Sequence, residues 1–524
     1  MRDYYDGSLL YCLDDGAALL DGPAVGDERT AVLPGPDVKN LFHSNERATI
    51  TGPEHSVAVL PFANMSADAE NEFFCDGLAE EILNALAKIE SLRVAARTSA
   101  FSFKGSNTNV YDIGLVLGVR NVLEGSVRKI GDHVRIMVQL VSAADGYQIW
   151  SERYDREMND IFAVQDEITF AVVEALKVKL VGSERSAMLK KGTGDPEAYE
   201  LYLRGRAIWN RRTPVDLDRA VESFEKAIAI DPDYALAYAG VADSYTLLAY
   251  FEARAPSDLR IHARAAALKA IELDDGSAEA HTSLAIYSLI FEFDWDVIEK
   301  HFLKAVEINP RYGQARYLYG TYLAVLKRFD EAFEQGRIAL DLDPLNLPLN
   351  GNIGRTLYLA RRYQDGIDLA QKTLELSPDF FFTHWVLGVC HRELGQMDEA
   401  INHLRQSVAR SGILALKGDL GVALARAGRE DEAREILAEL EEQSSRRYVS
   451  PHWRSVIHAA LGEKEEALEC LARAWDARSV QLIWLGADPS FDSLRDEPRF
   501  LEVFEKLKIP ASSSKVDDSR LSLF

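Results

Sequence analysis

The feature that most constrains this chain is a 34-residue period in its second half. Gly320, Gly354 and Gly388 follow one another at intervals of 34 residues. Other small residues and two prolines keep nearly the same spacing: Ala332, Gly366, Ala400, Ala433, Ala467, Pro344 and Pro378. A period of this length predicts an array of two-helix repeats. Because one such repeat cannot bury its apolar face alone, neighbouring repeats must stack to form the core.

The repeats resemble those of a known family. Ala220, Phe224, Ala227 and Pro232 fit the A-x3-F…P half of the tetratricopeptide pattern. The resemblance predicts an all-α solenoid of about eight tetratricopeptide repeats over residues 197–478. An insertion at residues 254–257 lengthens the second repeat, and the eighth lacks the glycine of its first helix.

A different pattern precedes the array. A short apolar run, Val57-Ala58-Val59-Leu60-Pro61-Phe62, predicts a buried strand, and an amphipathic helix beginning near Asp76 should follow it. Further strands are expected at residues 92–97, 122–128, 134–141 and 148–154, a short helix at 112–118 and a longer one at 161–180. The turn signals at Gly131 and Gly146 make the last three strands antiparallel hairpins. The pattern as a whole predicts an α+β domain over residues 55–180.

Four motifs follow one another in this domain: the run from Val57, Phe74-Cys75-Asp76-Gly77-Leu78, Leu123-Glu124-Gly125-Ser126-Val127-Arg128, and Ile149-Trp150-Ser151-Glu152-Arg153-Tyr154-Asp155. With these motifs the domain resembles the TolB-like amino-terminal domain of bacterial proteins. The resemblance implies an accessory or interaction module. In many relatives a cyclase or winged-helix output domain lies beside such a domain.

The remaining segments connect or flank these two parts. Residues 1–54 are rich in Gly, Pro and Asp and are expected to form an irregular leader. Residues 181–196 read as a linker, 479–510 as a carboxy-terminal cap on the array, and 511–524 as a flexible tail. A docking role for the final Leu521-Ser522-Leu523-Phe524 is the alternative for that tail.

Charge and cysteine usage narrow the function. The formal charge of −24 and the pI near 5.0 argue against nucleic-acid binding, which requires clustered Lys and Arg. The four cysteines lie far apart in the sequence, which suits a reducing compartment. We expect a cytoplasmic protein without membrane insertion, since no signal peptide and no apolar run of membrane-spanning length is evident.

No catalytic, cofactor-binding or metal-binding pattern emerges. Phosphate-loop, dinucleotide, HExxH and GxSxG motifs are missing from the sequence. Cys75, near a helix start, and the Cys390-His391 pair are better explained as structural residues. The sequence therefore predicts a protein that is not an enzyme. A cyclase, the alternative, would need a catalytic domain before Ser56.

The inner face of the array is the predicted binding site. Counting from each repeat's start, five aromatic and arginine side chains should lie on the concave surface: Tyr317, Arg355, Tyr358, Trp385 and Arg392. Such side chains are common peptide anchors, and the arginines would suit an acidic partner. The prediction is a scaffold or adaptor that binds a protein or peptide. The alternative is a regulatory or sensor subunit with its output on another chain, dimerising through the first domain.

Overall fold

The computed structural model describes residues 50, 52–180, 184–185 and 192–510. The expected tail at 511–524 lies outside the described residues, as does nearly all of the leader and most of the linker. Among the described residues, no helix is long and apolar enough to cross a membrane.

The amino-terminal part is built on one mixed sheet. The strands and helices of this part are β1 Ser56–Val59, β2 Ala63–Asn64, α1 Glu72–Ala87, β3 Arg93–Val94, α2 Arg97–Phe101, α3 Val110–Leu117, β4 Asn121–Ile130, β5 His133–Ser142, β6 Gln148–Glu157 and α4 Ile161–Ala175. The strand order is β3-β1-β4-β5-β6, with the short β2 also paired to β4. Strands β3, β1 and β4 run parallel, whereas β4, β5 and β6 form the predicted antiparallel hairpins.

Several expected boundaries in this part are wrong. The strand expected from Val57 to Phe62 ends at Val59. The strand expected at 92–97 spans only Arg93–Val94, since Arg97 begins the short helix α2. Helix α4 ends at Ala175 rather than near residue 180. Helix α1 begins at Glu72, so Gly77 lies inside it. A Cβ at Gly77 would come within 2.6 Å of Leu203, which shows that close packing rather than a helix start requires this glycine.

The carboxy-terminal part consists of paired antiparallel helices. Between residues 196 and 476 the structure describes eight such pairs: α5 Pro196–Trp209 with α6 Pro214–Ile230, α7 Ala235–Tyr250 with α8 Pro256–Leu273, α9 Ala278–Tyr287 with α10 Trp295–Ile308, α11 Gly313–Val325 with α12 Phe329–Leu342, α13 Leu347–Leu359 with α14 Tyr363–Leu376, α15 Phe381–Glu393 with α16 Met397–Ser411, α17 Lys417–Arg426 with α18 Glu430–Ser444, and α19 Pro451–Ala460 with α20 Lys464–Asp476. Two 3-10 helices, Val480–Trp484 and Pro489–Leu494, precede the last helix, α21 Pro498–Lys506.

Every pair turns in the same way. The turn between its two helices contains one residue with a φ between 55° and 80°: Arg212, Glu252, Phe293, Lys327, Arg361, Gly395, Gly428 and Gly462. This left-handed conformation closes the first helix, and glycine adopts it without strain. The three glycines therefore fit the turn better than the five side-chain-bearing residues do.

The glycines of the 34-residue rhythm lie at helix contacts, and the tightest of the three is at Gly388. A Cβ on Gly388 would lie 2.5 Å from Cγ of Leu404 on the second helix of the same repeat. In the eighth repeat the equivalent position holds Ser455, which is fully buried and donates a 2.7 Å hydrogen bond to the Ala467 carbonyl. A small hydrogen-bonding side chain therefore replaces the glycine that the sequence showed to be missing.

The two parts are packed against each other. Helix α1 packs on α5, the first helix of the array. The Ser99 hydroxyl and backbone N–H donate to the Asp343 carboxylate at 2.6 and 2.9 Å, and the same hydroxyl accepts from the Leu345 N–H. Arg311 donates to the Glu90 carbonyl at 2.6 Å. These contacts fix the sheet domain to the array at three separate places.

Candidate functional site on the inner face of the array

The inner face is the surface formed by the first helices of the repeats. Three of the five residues predicted there are buried, since Tyr358 is 2%, Trp385 9% and Arg392 1% exposed. Tyr317 and Arg355 are half-buried. A partner therefore cannot reach Tyr358, Trp385 or Arg392 in this conformation. The binding role of all five residues stays a prediction.

The buried residues form one polar network. The Arg392 guanidinium donates to the Tyr358 hydroxyl at 2.8 Å and to the Asp419 carboxylate at 3.0 Å. The Trp385 indole N–H donates to the other Asp419 oxygen at 2.7 Å. Burial opposes the charge of Arg392, but Tyr358, Asp419 and other acidic neighbours raise its pKa above the ordinary value. The guanidinium thus stays charged inside the protein.

The carboxy-terminal segment 480–494 covers this network. The Tyr358 hydroxyl donates to Asp488 at 2.9 Å, and the Trp484 ring lies 4.5 Å from the Arg355 guanidinium. Leu485 and Phe491 are fully buried beside them. Burying a large apolar side chain contributes about 1.5–3 kcal/mol, so releasing this segment would cost several times that. We conclude that it is part of the folded array. The cap on the last helix pair was expected over residues 479–510, and within that range α21 contacts α20.

The array also meets itself across the inner face. The Glu252 carboxylate in the second repeat accepts from the Trp453 indole at 2.9 Å and from the Ser450 N–H at 3.2 Å in the eighth. Burial raises the pKa of Glu252 to about 7. The Trp295 indole donates to the Leu507 carbonyl at 2.8 Å. These contacts close the carboxy-terminal half of the inner face.

The amino-terminal half is less covered and is called the open half below. Five polar or aromatic side chains from the first four repeats are half-buried there and keep part of their surface in solvent: Arg206, Arg212, Asp243, Tyr312 and Tyr317. Arg206 pairs with Glu80 of the sheet domain at 3.3 Å. The Tyr317 hydroxyl accepts from the Asn352 amide at 2.9 Å, next to Arg355. This half of the face can therefore meet a ligand.

Arg212 is the distinctive group of the open half. Its guanidinium lies 3.6 Å from the centre of the Trp209 ring, and it has no acceptor or ion-pair partner among the residues that the structure describes. Burial lowers the pKa of Arg212 to about 10. The nearby positive charge of Arg206 also lowers this pKa, whereas Tyr317 and Asp243 act in the opposite direction and raise it. An arginine in this position favours an anionic group from outside.

Cys75, Cys390 and His391 have the surroundings of structural residues. Burial raises the pKa of both Cys75 and Cys390 to about 12, so their thiols are neutral near pH 7. His391 contacts Gln396 at 2.5 Å instead of sharing a site with Cys390. Within the described ranges, no three His, Cys, Asp or Glu side chains converge in a way that would hold a metal ion.

Sequence comparison assigns the helix pairs to a known repeat. Two family models of the tetratricopeptide repeat match residues 216–234, 299–346 and 352–412. The helices in these ranges belong to tetratricopeptide repeats. The matched ranges fall on α6, α10 to α12 and α13 to α16, which include the regular middle of the array.

Two of the curated relatives are named as an adenylate cyclase and a transcriptional regulator. The chain is 38% identical over 233 residues to a Rhizobium meliloti protein named "Putative adenylate cyclase 3", covering 44% of this chain and 40% of that protein. It is 27% identical over 168 residues to the transcriptional regulator HilA of Salmonella typhimurium, covering 32% of this chain and 30% of HilA. The chain thus spans well under half the length of either relative.

The chain also resembles several solved structures. The chain is 18% identical to PilF of Pseudomonas aeruginosa, with a TM-score of 0.31, covering 44% of this chain and 97% of that one. It is 20% identical to YrrB, described as a tetratricopeptide protein with an unusual peptide-binding site, with a TM-score of 0.26 and coverage of 37% and 94%.

Proposed function

We propose that this protein is a non-catalytic interaction scaffold that binds an acidic protein segment on the open half of the inner face. The observation that carries the proposal is the Arg212 guanidinium, which makes no hydrogen bond or ion pair with the described residues and lies in the turn between the first two helices of the array, near Asp243. Tetratricopeptide arrays generally serve as protein-interaction scaffolds, which supports the same class of function. A carboxylate-bearing segment would supply the missing partner of Arg212.

The aromatic and amide groups nearby suit such a segment. Tyr317 and Arg355, two of the predicted groove residues, lie where the open half meets the covered half. A segment whose carboxylate pairs with Arg212 would extend along Tyr317 toward Arg355. Tyr358, Trp385 and Arg392 would take part only if segment 480–494 moved away, and its buried side chains oppose that movement.

The test uses a matched pair of turn variants. Arg212→Gly removes the guanidinium while placing glycine at a φ of 60°, and Lys327→Gly makes the same change at an equivalent turn with a φ of 59°. Proteins captured by the wild-type chain from a bacterial lysate should also bind Lys327→Gly and should be lost or strongly reduced with Arg212→Gly. Their binding should weaken as salt is added, because an ion pair is screened.

Equal capture by the two variants would contradict the Arg212 site. Tyr317→Ala and Arg355→Ala should reduce the same capture, and unchanged recovery with both would remove these two residues from the proposed site. A metal-dependent nucleotide cyclase activity of the purified chain would contradict the non-catalytic part of the proposal.

The second candidate is a regulatory role. The relatives' names, an adenylate cyclase and a transcriptional regulator, favour a regulatory or sensor subunit of a bacterial signalling or transcription system. In this proposal the sheet domain is TolB-like and forms a homodimer in the cytoplasm, with output on another chain. Co-purification of such an output protein in stoichiometric amount would distinguish this role from a general scaffold.

A further inference from the structure

Strand β6 leaves one edge of the sheet open. It is the last strand in the order, and no strand pairs with its outer edge among the residues that the structure describes. The strand at the other end, β3, lies close to the array, where the Ala96 N–H donates to the Leu342 carbonyl at 3.1 Å. A ten-residue edge with unpaired backbone groups is a template for another strand.

The alternation of backbone hydrogen bonds shows which backbone groups of β6 point away from β5. The Met158 N–H donates to the Asp132 carbonyl at 2.7 Å, and hydrogen-bonded pairs alternate along an antiparallel ladder. Tyr154 and Arg156 therefore bond toward β5. The backbone N–H and C=O groups of Arg153 and Asp155 point away from the sheet and can receive a second strand.

The side chains of β6 form a self-complementary charge pattern. The sequence Glu152-Arg153-Tyr154-Asp155-Arg156 carries opposite charges at equal distances on either side of Tyr154. All four charged side chains are exposed. If two copies of β6 pair antiparallel about Tyr154, Arg153 opposes Asp155 of the second copy, and Glu152 opposes its Arg156. Opposite charges at facing positions stabilise a pair of strands.

Neighbouring registers lack this match. An axis through Arg153 would place two arginines opposite each other, and an axis through Asp155 would oppose two aspartates. The ion pairs that these residues make within the chain, such as Arg135 with Asp155 at 2.6 Å, have side chains about half exposed. Such exposed pairs contribute little and leave the carboxylate free to accept a second cation.

We propose that two copies of this chain associate through β6, antiparallel and centred on Tyr154, so that one sheet continues through both sheet domains. This inference rests on the homodimer of the proposed function and names its surface. The axis lies at the β6 edge of the sheet, away from the β3 edge where Ala96 bonds to the array.

Charge reversal tests the register. Arg153→Asp sets a new carboxylate against Asp155 in both crossing contacts, and Asp155→Arg sets two arginines against each other. Each variant alone should dissociate at least about tenfold more readily than wild type. The double variant Arg153→Asp with Asp155→Arg restores both pairs. An equimolar mixture of the two single variants also restores both pairs and should dimerise.

The measurement is the mass of the full-length chain in solution, by light scattering or sedimentation over a range of concentrations, with circular dichroism to show that each variant is folded. A wild-type dimer, monomeric single variants and a dimeric mixture would support the proposal. A wild-type monomer would overturn it together with the homodimer. A dimer that the single variants leave intact, or a mixture that stays monomeric, would overturn the strand assignment alone. None of these outcomes depends on Arg212 or on partner capture.

Discussion

The Arg392 guanidinium and the Asp419 carboxylate, on the first helices of consecutive repeats, are joined by a 3.0 Å hydrogen bond. The Arg392 side chain is completely buried. A buried charged pair is stable only if its remaining hydrogen-bonding atoms also have partners. Trp385 donates to the second Asp419 oxygen, and the Tyr358 and Ser490 hydroxyls accept from Arg392. The pair therefore connects the repeats with segment 480–494 and has a structural role.

Removing one partner of this pair should be strongly destabilising. Arg392→Ala leaves the Asp419 carboxylate buried without its cation, so we expect a loss of about 3–5 kcal/mol in the free energy of unfolding. Arg426→Ala is the control, since it breaks a more exposed pair with Glu393 at 2.9 Å and should cost less than about 1 kcal/mol. Urea unfolding of the three proteins measures both values. Similar losses for the two variants would contradict the structural role of Arg392.

The sequence could show the array but not what covers it. The intervals between Gly320, Gly354 and Gly388 record local helix contacts, which recur in every repeat and so leave a period. The contact between Tyr358 and Asp488 joins residues 130 positions apart and occurs once. No period can report it. The apolar run Ile483-Trp484-Leu485 after the last repeat was the one available signal that the segment is buried.

Other differences also have local causes. Helix α2 begins at Arg97 without a side-chain cap, so its start left no mark in the sequence. Arg212 escaped the prediction because it belongs to a turn between helices, and the count along the first helices did not include turns. Its left-handed conformation, shared with Lys327 and Arg361, became visible only in the structure.

Glycine at a left-handed turn should stabilise the array. Lys327 has a φ of 59°, which is strained for a residue with a side chain. Burial and the nearby positive charges of Arg495 and Arg361 also lower the pKa of Lys327. We expect Lys327→Gly to raise the free energy of unfolding by about 1 kcal/mol. The reverse change, Gly395→Lys at a φ of 78°, should lower it by a similar amount. Thermal unfolding measures both, and shifts of the same sign would contradict the argument.

A methyl group at a close helix contact should destabilise the array. The Cβ of Gly388→Ala would lie 2.5 Å from Leu404 Cγ and 3.2 Å from the Ala400 carbonyl oxygen. Overpacking of this kind costs about 1–3 kcal/mol, partly offset by the better helix propensity of alanine. Gly313→Ala, with no atom near its Cβ, should be neutral or slightly stabilising. Urea unfolding that ranks the two variants in the opposite order would show that the rhythm does not reflect close packing.

Paired histidines should make part of the stability depend on pH. In the sixth repeat the Nδ1 atoms of His384 and His403 lie 3.1 Å apart, and in the third those of His281 and His301 lie 2.7 Å apart. Burial lowers the pKa of His403 to about 4, with help from His384 and His391 against Glu399. Its folded pKa is thus below the unfolded value near 6.5. The contribution is complete above pH 6.5 and is lost as the pH falls toward 4, because the unfolded chain binds the proton first.

The whole protein would hide this effect, so a variant must reveal it. Burial raises the pKa of Glu81 and Glu252 to about 7 and that of Asp243 to about 6. As the pH falls over the same range, protonation of these carboxyls in the folded protein increases the free energy of unfolding. The difference between wild type and His403→Gln cancels such distant contributions. We expect wild type to lose about 1 kcal/mol relative to His403→Gln between pH 7.5 and pH 5, a value reduced for partial exposure. Urea unfolding at both pH values measures it. If the difference in unfolding free energy stayed constant between the two pH values, His403 would have the same pKa in the folded and unfolded protein. That result would contradict the lowered pKa.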